Sequence, residues 1–303
     1  MKSIAYSGIS AVLTLAGATT ATAQQIDTLK KIKDTAAITM GVREASGAMS
    51  YTLGAGEYTG FHVDICKRVI GDIQKQLGLP KLEVRYQSVT AQNRIPLVQN
   101  GTVDLECGTT TNNAARQKDV AFAPTLYIEE VRVATKTRTG ITNLSQLANR
   151  TVSATSGATA VQLIRKHERA AGVDFKEVIG KDNSEGFLLL ENDRAEAFVA
   201  DGQILATMIS QSKQPKNYAV LKEVLSVEPI AIMLPKGDAP FKQAVDASIA
   251  KMAKSGEVAK LYDKWFVQPI PPNNTRVGMP ASDLTKAAWA NLSDKPLEDY
   301  AKK

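Results

Sequence analysis

The chain has 303 residues, of which 37 are Lys or Arg and 31 are Asp or Glu, so its formal net charge is +6 at pH 7. Because 44% of the residues are hydrophobic and 22% are charged, the chain can bury one large or two medium-sized cores, which argues against a disordered, collagen-like or coiled-coil protein. The basic residues form no long run interleaved with aromatic residues, so the sequence indicates no nucleic-acid partner. Two Cys and two His residues are too few to favour a metal site.

The first 23 residues have the composition of a secretory signal peptide. Lys2 provides the positive start, residues 4–17 are mostly apolar, and Ala21-Thr22-Ala23 supplies small residues before Gln24. An apolar amino-terminal helix is the alternative, but the run is too short to cross a hydrocarbon core of about 30 Å. We therefore predict that residues 1–23 are a signal peptide and that the protein is exported.

Predicted strands and helices alternate from Ile38 onward, which is the order of a sheet whose strands are joined by crossover helices. The expected elements of the first unit are a strand at 37–42, a helix at 63–77, a strand at 82–86, a short helix at 94–99, a strand at 103–107 and extended chain at 131–135. The segment 136–140 is rich in Lys, Thr and Arg, so we expect the crossing into a second unit there.

The second unit repeats this alternation, and the chain then returns to the first. The expected elements are strands at 151–154, 175–179 and 197–200, helices at 158–171 and 185–192, a β-like run at 227–234, and helices at 241–254 and 257–266. Beyond 268 the chain is rich in Pro and Asn and is expected to be irregular, with one helix near 282–292.

These elements predict an α/β protein with two lobes and a ligand cleft between them, joined by a two-crossing hinge. The first lobe is expected to comprise residues 24–135 and 231–268, and the second lobe residues 136–230. Residues 269–303 would form a carboxyl-terminal tail.

Three arginines follow predicted strand ends, where open α/β sheets bind their ligands. Arg43 follows the first strand, Arg94 begins the helix after the second, and Arg116 lies in the loop after the third. Each one alone is typical of an exposed surface arginine. Because a guanidinium pairs bidentately with a carboxylate, three of them together exceed the needs of a ligand with one carboxylate.

Two polar segments could complete such a site. Residues 108–113 include Thr109 and Thr111, whose hydroxyl and N–H groups could bind an anion or an amine, although an ordinary polar turn has the same composition. Thr155 opens the segment 155–159 before a predicted helix, where the helix N-terminus favours negative charge. Capping alone would also select such residues.

The remaining acids and histidines indicate binding more than catalysis. Asp201 follows a predicted strand, where it could meet a ligand ammonium or simply cap the next helix. Glu106 is expected to be structural. His62 and His167 lie in helical patterns, no nucleophile elbow is present, and no Gly-rich phosphate loop occurs, so we predict no catalytic residues and no cofactor.

The two cysteines have two possible states. Export permits a disulfide between Cys66 and Cys107, but each position also suits a small apolar residue, one on a core-facing helix and the other at a strand end. We expect them to be unpaired.

Several short motifs are spread along most of the chain. They are Gly41-Val42-Arg43-Glu44, Gln92-Asn93-Arg94-Ile95-Pro96-Leu97, Glu106-Cys107-Gly108, Thr110-Thr111-Asn112-Asn113, Arg116-Gln117, Thr155-Ser156-Gly157, Asp263-Lys264-Trp265-Phe266 and Pro269-Ile270-Pro271-Pro272. From about residue 29 to 274, the chain resembles the periplasmic glutamate/aspartate-binding proteins of bacterial ABC importers, within the polar-amino-acid solute-binding family. His62 replaces the acid that usually stands near the start of the first large helix.

The resemblance implies a two-lobe periplasmic-binding-protein-like fold of type II and a role for each candidate residue. The α-carboxylate of the ligand would bind Arg116 with Thr109 and Thr111, and the α-ammonium would bind Asp201. The other two strand-end arginines would clamp the side-chain carboxylate.

Three departures from the family pattern reduce the ligand contacts expected at the far end of the implied pocket. Ala91 stands in place of a serine, Ala158 in place of a threonine, and Asn183 in place of a histidine that reaches the side-chain carboxylate. Because a buried pair of guanidiniums without an anion is costly, an acidic group on the ligand is still expected. The choice among glutamate, aspartate and a related diacid stays open.

The hypothesis is a non-catalytic, monomeric receptor that closes on an acidic amino acid by a hinge motion and presents it to an inner-membrane ABC permease. Three alternatives are left open. They are a receptor for another amino acid or a dicarboxylate, a receptor that serves a chemoreceptor, and an enzyme on the same fold that resembles cyclohexadienyl dehydratase.

Overall fold

The computed structural model describes residues 27–300, so the predicted signal peptide, 1–23, lies outside the described residues. The helices are α1 (Thr28–Thr35), α2 (Phe61–Gln76), α3 (Arg94–Gln99), α4 (Thr159–Ala171), α5 (Asn183–Glu191), α6 (Gly202–Gln211), α7 (Ala239–Lys254), α8 (Glu257–Tyr262), α9 (Asp283–Ala290) and α10 (Leu297–Tyr300). No helix between residues 27 and 300 is both long and apolar enough to cross a membrane.

The strands form two main sheets and two small ones. They are β1 (Ala37–Val42), β2 (Ala45–Ser46), β3 (Ser50–Gly54), β4 (Glu57–Thr59), β5 (Glu83–Ser88), β6 (Leu105–Glu106), β7 (Val120–Phe122), β8 (Tyr127–Lys136), β9 (Thr151–Thr155), β10 (Lys176–Gly180), β11 (Ala197–Asp201), β12 (Tyr218–Val220), β13 (Ser226–Ile230), β14 (Met233–Pro235), β15 (Pro269–Ile270) and β16 (Thr275–Arg276). The small sheets are β2-β3-β4 and β15-β16.

The first lobe is built on the sheet β5-β1-β6-β14-β7. Strand β1 is parallel to both β5 and β6, and β14 runs antiparallel to β6 and β7. Helices α2, α7 and α8 cover one face of this sheet, where Phe61, Phe241 and Trp265 are buried. Helix α3 covers the other face. The Asp238 carboxylate caps α7 at Phe241 N and also accepts from Thr28 N at 2.7 Å, which joins α1 to this lobe.

The second lobe is built on the sheet β10-β9-β11-β8-β12, with β13 also paired to β8. Strands β9, β10 and β11 are parallel, whereas β8 runs antiparallel to β11, β12 and β13. Helix α4 packs on one face around Ile164, and helices α5 and α6 pack on the other around Phe198. Each lobe therefore has its own sheet and its own core.

The change from one sheet to the other comes earlier than the sequence predicted. Strand β8 belongs to the second sheet over its whole length, so the expected crossing at 136–140 is wrong, and the chain leaves the first lobe before Tyr127. The expected β-like run at 227–234 is divided between two sheets, since β13 pairs in the second and β14 in the first. An extended segment that passes between two sheets has one β pattern throughout, which is why its sequence does not mark the crossing.

The expectation that the cysteines are unpaired is also wrong. Cys66 on α2 and Cys107, just after β6, form a disulfide with their Cα atoms 6.5 Å apart. This distance lies within the range that a disulfide spans. Helix α2 packs against the first sheet and so brings two positions 41 residues apart in sequence together, a proximity that the residue types alone do not reveal.

Residues 269–300 are more ordered than the irregular tail expected there. Helix α9 lies close to the predicted helix, and its Trp289 donates an indole hydrogen bond to the Leu126 carbonyl at 2.7 Å. Further along, Thr125 N donates to the Ser293 carbonyl at 2.9 Å. The segment thus runs beside the chain that leaves the first lobe.

Candidate ligand-binding site

Two segments connect the lobes and lie side by side. Ala123 N donates to the Ile232 carbonyl at 2.9 Å, and Leu126 N donates to the Ile230 carbonyl at 3.2 Å. The outgoing and returning chains are therefore bonded to each other, which gives a double connection about which two lobes can rotate.

A narrow cleft lies between the lobes. Its lining comes from the ends of strands and the starts of helices in both lobes, the location at which open α/β sheets hold ligands. The lining residues are Arg43, Ala91, Arg94, Thr109, Thr111, Thr155, Ala158, Thr159, Asn183, Val199, Ala200, Asp201 and Ile204. Most of the candidate residues found in the sequence thus meet in one place.

Two buried guanidiniums occupy the first-lobe side of the cavity. Arg43 follows β1 and is 3% exposed, and Arg94 begins α3 and is 2% exposed. Within residues 27–300, Nε and Nη1 of Arg94 are buried and have no hydrogen-bond partner. Burial, together with the positive charge of Arg94, lowers the pKa of Arg43 to about 10. This pair is therefore a strong site for an anion.

A close packing of backbone and side chains behind the cavity sets the position of Arg43. Glu106 is fully buried, and its Oε2 accepts from the Thr110 hydroxyl at 2.6 Å. A Cβ atom on Gly108 would lie 2.1 Å from Glu106 Oε1 and 2.7 Å from Cγ of Arg43, so only glycine fits there. The Glu106 charge raises the pKa of Arg43 and of Arg94 against the effect of burial, so this acid stabilises the charged guanidiniums.

Arg116 is the one candidate residue that does not line the cavity. It is half-buried at the rim, where Nη1 donates to the Thr111 carbonyl at 2.9 Å and Nη2 donates to the Gly157 carbonyl at 3.3 Å. Burial and the charge of Arg94 lower its pKa to about 9. Because Thr111 belongs to the first lobe and Gly157 to the second, Arg116 joins the lobes in this conformation.

Asp201 faces the arginines from the second lobe. It ends β11 and precedes α6, yet its side chain makes no capping hydrogen bond, which removes the simplest structural role for this acid. Burial raises the pKa of Asp201 to about 7, and the Glu228 charge adds to the shift, whereas the three arginines oppose it. A cationic group in the cavity would favour the ionised form of this carboxyl.

Thr155 and Asn183 form a hydrogen-bonded pair that also reaches the other lobe. The Thr155 hydroxyl donates to Asn183 Oδ1 at 2.8 Å, and Asn183 Nδ2 donates to the Ala45 carbonyl at 2.8 Å. Nearby, α4 begins at Thr159, and no side chain at Ala158 caps the first N–H groups of this helix.

One charged residue of the site, Glu228, was missed in the sequence, and Thr159 was named there only as part of the segment 155–159. Thr159 lines the cavity beside Ala158, and Glu228 lies behind the lining on β13, where it is 1% exposed. An acid in the middle of the β-rich run 226–230 was the available signal, because a buried strand does not normally carry an unpaired charge.

The two lobes, the doubled connection and the charged cavity between them define a type II solute-binding fold. Similar solved structures include the solute receptor for L-cysteine of Neisseria gonorrhoeae, which has a TM-score of 0.69 and 26% sequence identity and covers 82% of this chain and 98% of that one. The chain belongs to the bacterial extracellular solute-binding proteins, family 3, whose model matches residues 38–268.

Two relatives align with nearly the whole chain. The L-glutamate/L-aspartate-binding protein of Pseudomonas aeruginosa PAO1 is 41% identical over 273 residues, which cover 89% of this chain and 90% of the relative. The glutamate/aspartate import solute-binding protein of Escherichia coli K12 is 37% identical over 270 residues, with 89% coverage of both chains.

Proposed function

We propose that this protein is an extracytoplasmic receptor that captures an acidic amino acid, glutamate or aspartate, and delivers it to an ABC permease. Relatives named for glutamate and aspartate binding support the ligand class. The family and the signal-like first 23 residues support export to the periplasm. We take the receptor to be a monomer whose partner lies in the inner membrane.

The observation that carries the ligand class is the pair of buried guanidiniums, Arg43 and Arg94. Both face one cavity, and Arg94 keeps two buried nitrogen atoms without a partner among residues 27–300. A neutral side chain on the ligand would leave the two Arg94 nitrogen atoms without a charged acceptor, whereas a carboxylate accepts from both guanidiniums.

The rest of the cavity suits the α-groups of an amino acid. In this proposal the ammonium binds Asp201, and the α-carboxylate lies near Thr109 and Arg116. The Thr111 hydroxyl was expected to bind the carboxylate, but it donates to Glu228 Oε2 at 2.7 Å and so faces the ammonium as an acceptor. Thr155 and Asn183 line the wall of the second lobe. Closure of the two lobes then surrounds the ligand and forms the shape that the permease recognises.

The first test is a thermal-shift screen of refolded, ligand-free protein against the twenty amino acids, succinate, malate and cysteate, followed by calorimetry. A ligand at a hundredfold excess over its dissociation constant stabilises the native state by about 2.7 kcal/mol. We expect glutamate or aspartate to give the largest shift. Stabilisation by neutral amino acids alone would overturn the assignment of Arg43 and Arg94 to a carboxylate.

Arg94→Ala tests the residue that carries the proposal. We expect it to weaken binding of the acidic amino acid by about 10–100-fold, the usual effect of losing hydrogen bonds to a charged group. Arg165→Ala is the matched control, because Arg165 pairs with Glu177 at 2.8 Å on the outer side of the second lobe. Equal affinity in the two variants would contradict the proposed site.

We further propose that the protein is not an enzyme. Its aligned relatives are named as binding proteins, and a dehydratase would need a general acid over the ligand. Of the acids near the cavity, Asp201 lines it, whereas Glu106 and Glu228 are bonded to threonine hydroxyls. Incubation with prephenate or arogenate, followed by chromatography, should yield no product. Turnover of either compound would favour the enzyme instead.

A further inference from the structure

A single buried carboxylate oxygen joins two threonines of the cavity. Oε2 of Glu228 accepts from the Thr111 hydroxyl at 2.7 Å and from the Thr159 hydroxyl at 2.9 Å. Thr111 lies in the loop that follows β6 of the first lobe, and Thr159 is the first residue of α4 in the second lobe. Both threonines line the cavity, whereas Glu228 lies behind them.

The backbone holds Glu228 and Thr111 in this arrangement. Asn112 N donates to the Pro229 carbonyl at 2.8 Å, and Ala231 N donates to the Thr110 carbonyl at 3.2 Å. Thr111 therefore stands opposite the returning chain next to Glu228. The contact does not depend on a flexible side chain reaching over a long distance.

Each of these hydroxyls has only one hydrogen atom, and in this structure the carboxylate accepts it. An ionised carboxylate can accept hydrogen bonds but cannot donate them, so the direction of both bonds is determined. The oxygen atoms of Thr111 and Thr159 then present only lone pairs to the cavity. Such groups can accept from an ammonium, but they cannot donate to a carboxylate.

The negative charge of Glu228 favours an ammonium over a carboxylate, as the orientation of the two hydroxyls does. The Glu228 charge raises the pKa of Arg94 and Arg116, and it also raises the pKa of Asp201. The acid therefore acts on both halves of the cavity from behind the lining. A cation near Asp201 would be stabilised by two carboxylates, and an anion in that half would be repelled by both.

We propose that Glu228 is a positioning residue that gives the cavity its selectivity for an α-ammonium. It orients the hydroxyls of Thr111 and Thr159 as acceptors and adds negative charge, without touching the ligand. The receptor thereby distinguishes an amino acid from a dicarboxylate of the same length. This inference rests on the proposed acidic amino-acid ligand.

The test compares glutamate with glutarate, which has the same two carboxylates and no ammonium. Calorimetry on wild type gives the ratio of the two affinities, with displacement by glutamate used for weak glutarate binding. In Glu228→Gln the charge is lost and the amide can donate to a threonine oxygen. We expect glutamate to bind at least about tenfold more weakly, with glutarate unchanged or tighter, so that the ratio falls at least tenfold.

The ratio separates a positioning role from a purely structural one. If Glu228 only linked the lobes, Glu228→Gln would lower the affinity for both ligands alike and leave their ratio unchanged. That result would overturn the proposal. Unchanged affinities for both ligands would overturn it as well. The control Glu177→Gln removes an acid of the same lobe that pairs with Arg165, and it should behave as wild type.

A second pair of variants keeps the inference testable if Glu228→Gln does not fold. Thr159→Val removes one oriented acceptor at nearly constant volume and should lower the glutamate-to-glutarate ratio, whereas Thr159→Ser should restore it. An unchanged ratio in Thr159→Val would count against the proposal. If the proposed function itself were wrong, the wild-type protein would bind neither glutamate nor aspartate. The affinity ratio would then be measured with the amino acid that does bind and with its deaminated analogue.

Discussion

Asp201 is placed to bind the ligand, but its burial lowers the stability of the ligand-free protein. It occupies the N-cap position of α6 without capping it, and burial raises its pKa to about 7. In the unfolded chain this carboxyl titrates near its usual value of about 3.9. The folded protein therefore holds the proton more tightly, and stability is lost as the pH rises from about 4 through 7.

Asp201→Asn should remove this cost. We expect the ligand-free variant to melt above wild type at pH 8. The difference should become small toward pH 4, because the carboxyl is then protonated in the folded protein and about half protonated in the unfolded chain. A gain of about 1 kcal/mol would raise the melting temperature by roughly 2–4 °C for a protein of this size. Ligand binding should weaken, since the ammonium loses its carboxylate.

Scanning calorimetry between pH 4 and pH 8 measures the effect. The exposed Asp174 of the second lobe gives a matched control, and Asp174→Asn should follow the wild-type profile. Equal melting temperatures of Asp201→Asn and wild type across the whole range would show that Asp201 is not a strained acid.

Gly157 gives a second prediction for a single residue. Its φ is +76°, and a Cβ atom would lie 2.7 Å from the Ala91 carbonyl oxygen and the Gln92 backbone of the opposite lobe. Gly157→Ala should therefore obstruct closure and weaken binding by at least about tenfold. The control Gly172→Ala has a φ of +63° and no neighbour within 4 Å, so it shares the backbone strain without the obstruction.

Calorimetry on both variants separates these effects. Loss of affinity in Gly157→Ala alone supports a closure contact. Equal loss in both would mean that left-handed strain, and not contact between the lobes, causes the change.

At the scale of elements, two links hold the loop after β6 to α2. The disulfide joins Cys66 to Cys107, and the His62 Nδ1–H donates to the Gly108 carbonyl at 2.7 Å. Burial lowers the pKa of His62 to about 4, so the ring is neutral at ordinary pH. Because Thr109 follows directly, both links support the cavity wall.

Removal of the disulfide should therefore cost stability. For Cys66→Ala with Cys107→Ala we expect a loss of about 2–4 kcal/mol in the free energy of unfolding, since the unfolded chain regains the freedom of a 41-residue separation. Urea denaturation checks this value. A reductant should lower the stability of wild type to that of the double variant and leave the variant unchanged. A reductant effect on the variant would point to another cause.

The same elements show what the sequence could and could not predict. The strand 37–42 and the helix 94–99 have the predicted bounds, since their periodicity and flanking turn residues are local signals. Strand β8 and the disulfide were mispredicted because sheet membership and distance between elements depend on packing, which local patterns do not contain. The strand-end arginines were found by their position, but Glu228 was missed because its role depends on threonines far away in the chain.

At the scale of the whole molecule, hydrogen bonds between the lobes identify the conformation as closed. The Ser156 hydroxyl donates to Gln92 Oε1 at 3.1 Å, and Asn183 and Arg116 make the further contacts described above. The segment before β3 also bonds to α6, where Ala48 N donates to the Thr207 hydroxyl at 3.2 Å and Gln203 Nε2 donates to the Ser46 carbonyl at 3.3 Å. These polar contacts lie outside the two separate cores. Opening can therefore proceed without loss of either lobe's packing.

Small-angle scattering should detect this motion. We expect the radius of gyration of the ligand-free protein to decrease on addition of saturating glutamate, whereas Arg94→Ala at the same concentration should change little. An unchanged radius in wild type, with binding confirmed by calorimetry, would show that the protein is already closed before the ligand enters.

The carboxyl-terminal segment bears on how the receptor could be used as a sensor. Trp289 and Ser293 bond to Leu126 and Thr125, which belong to the connection between the lobes. A fluorescent domain or surface tether attached beyond α10 would therefore lie next to the connection between the lobes. It would slow or bias the hinge motion that the sensor measures. Attachment at α1, which is bonded to the first lobe through Asp238, keeps the load on one rigid body.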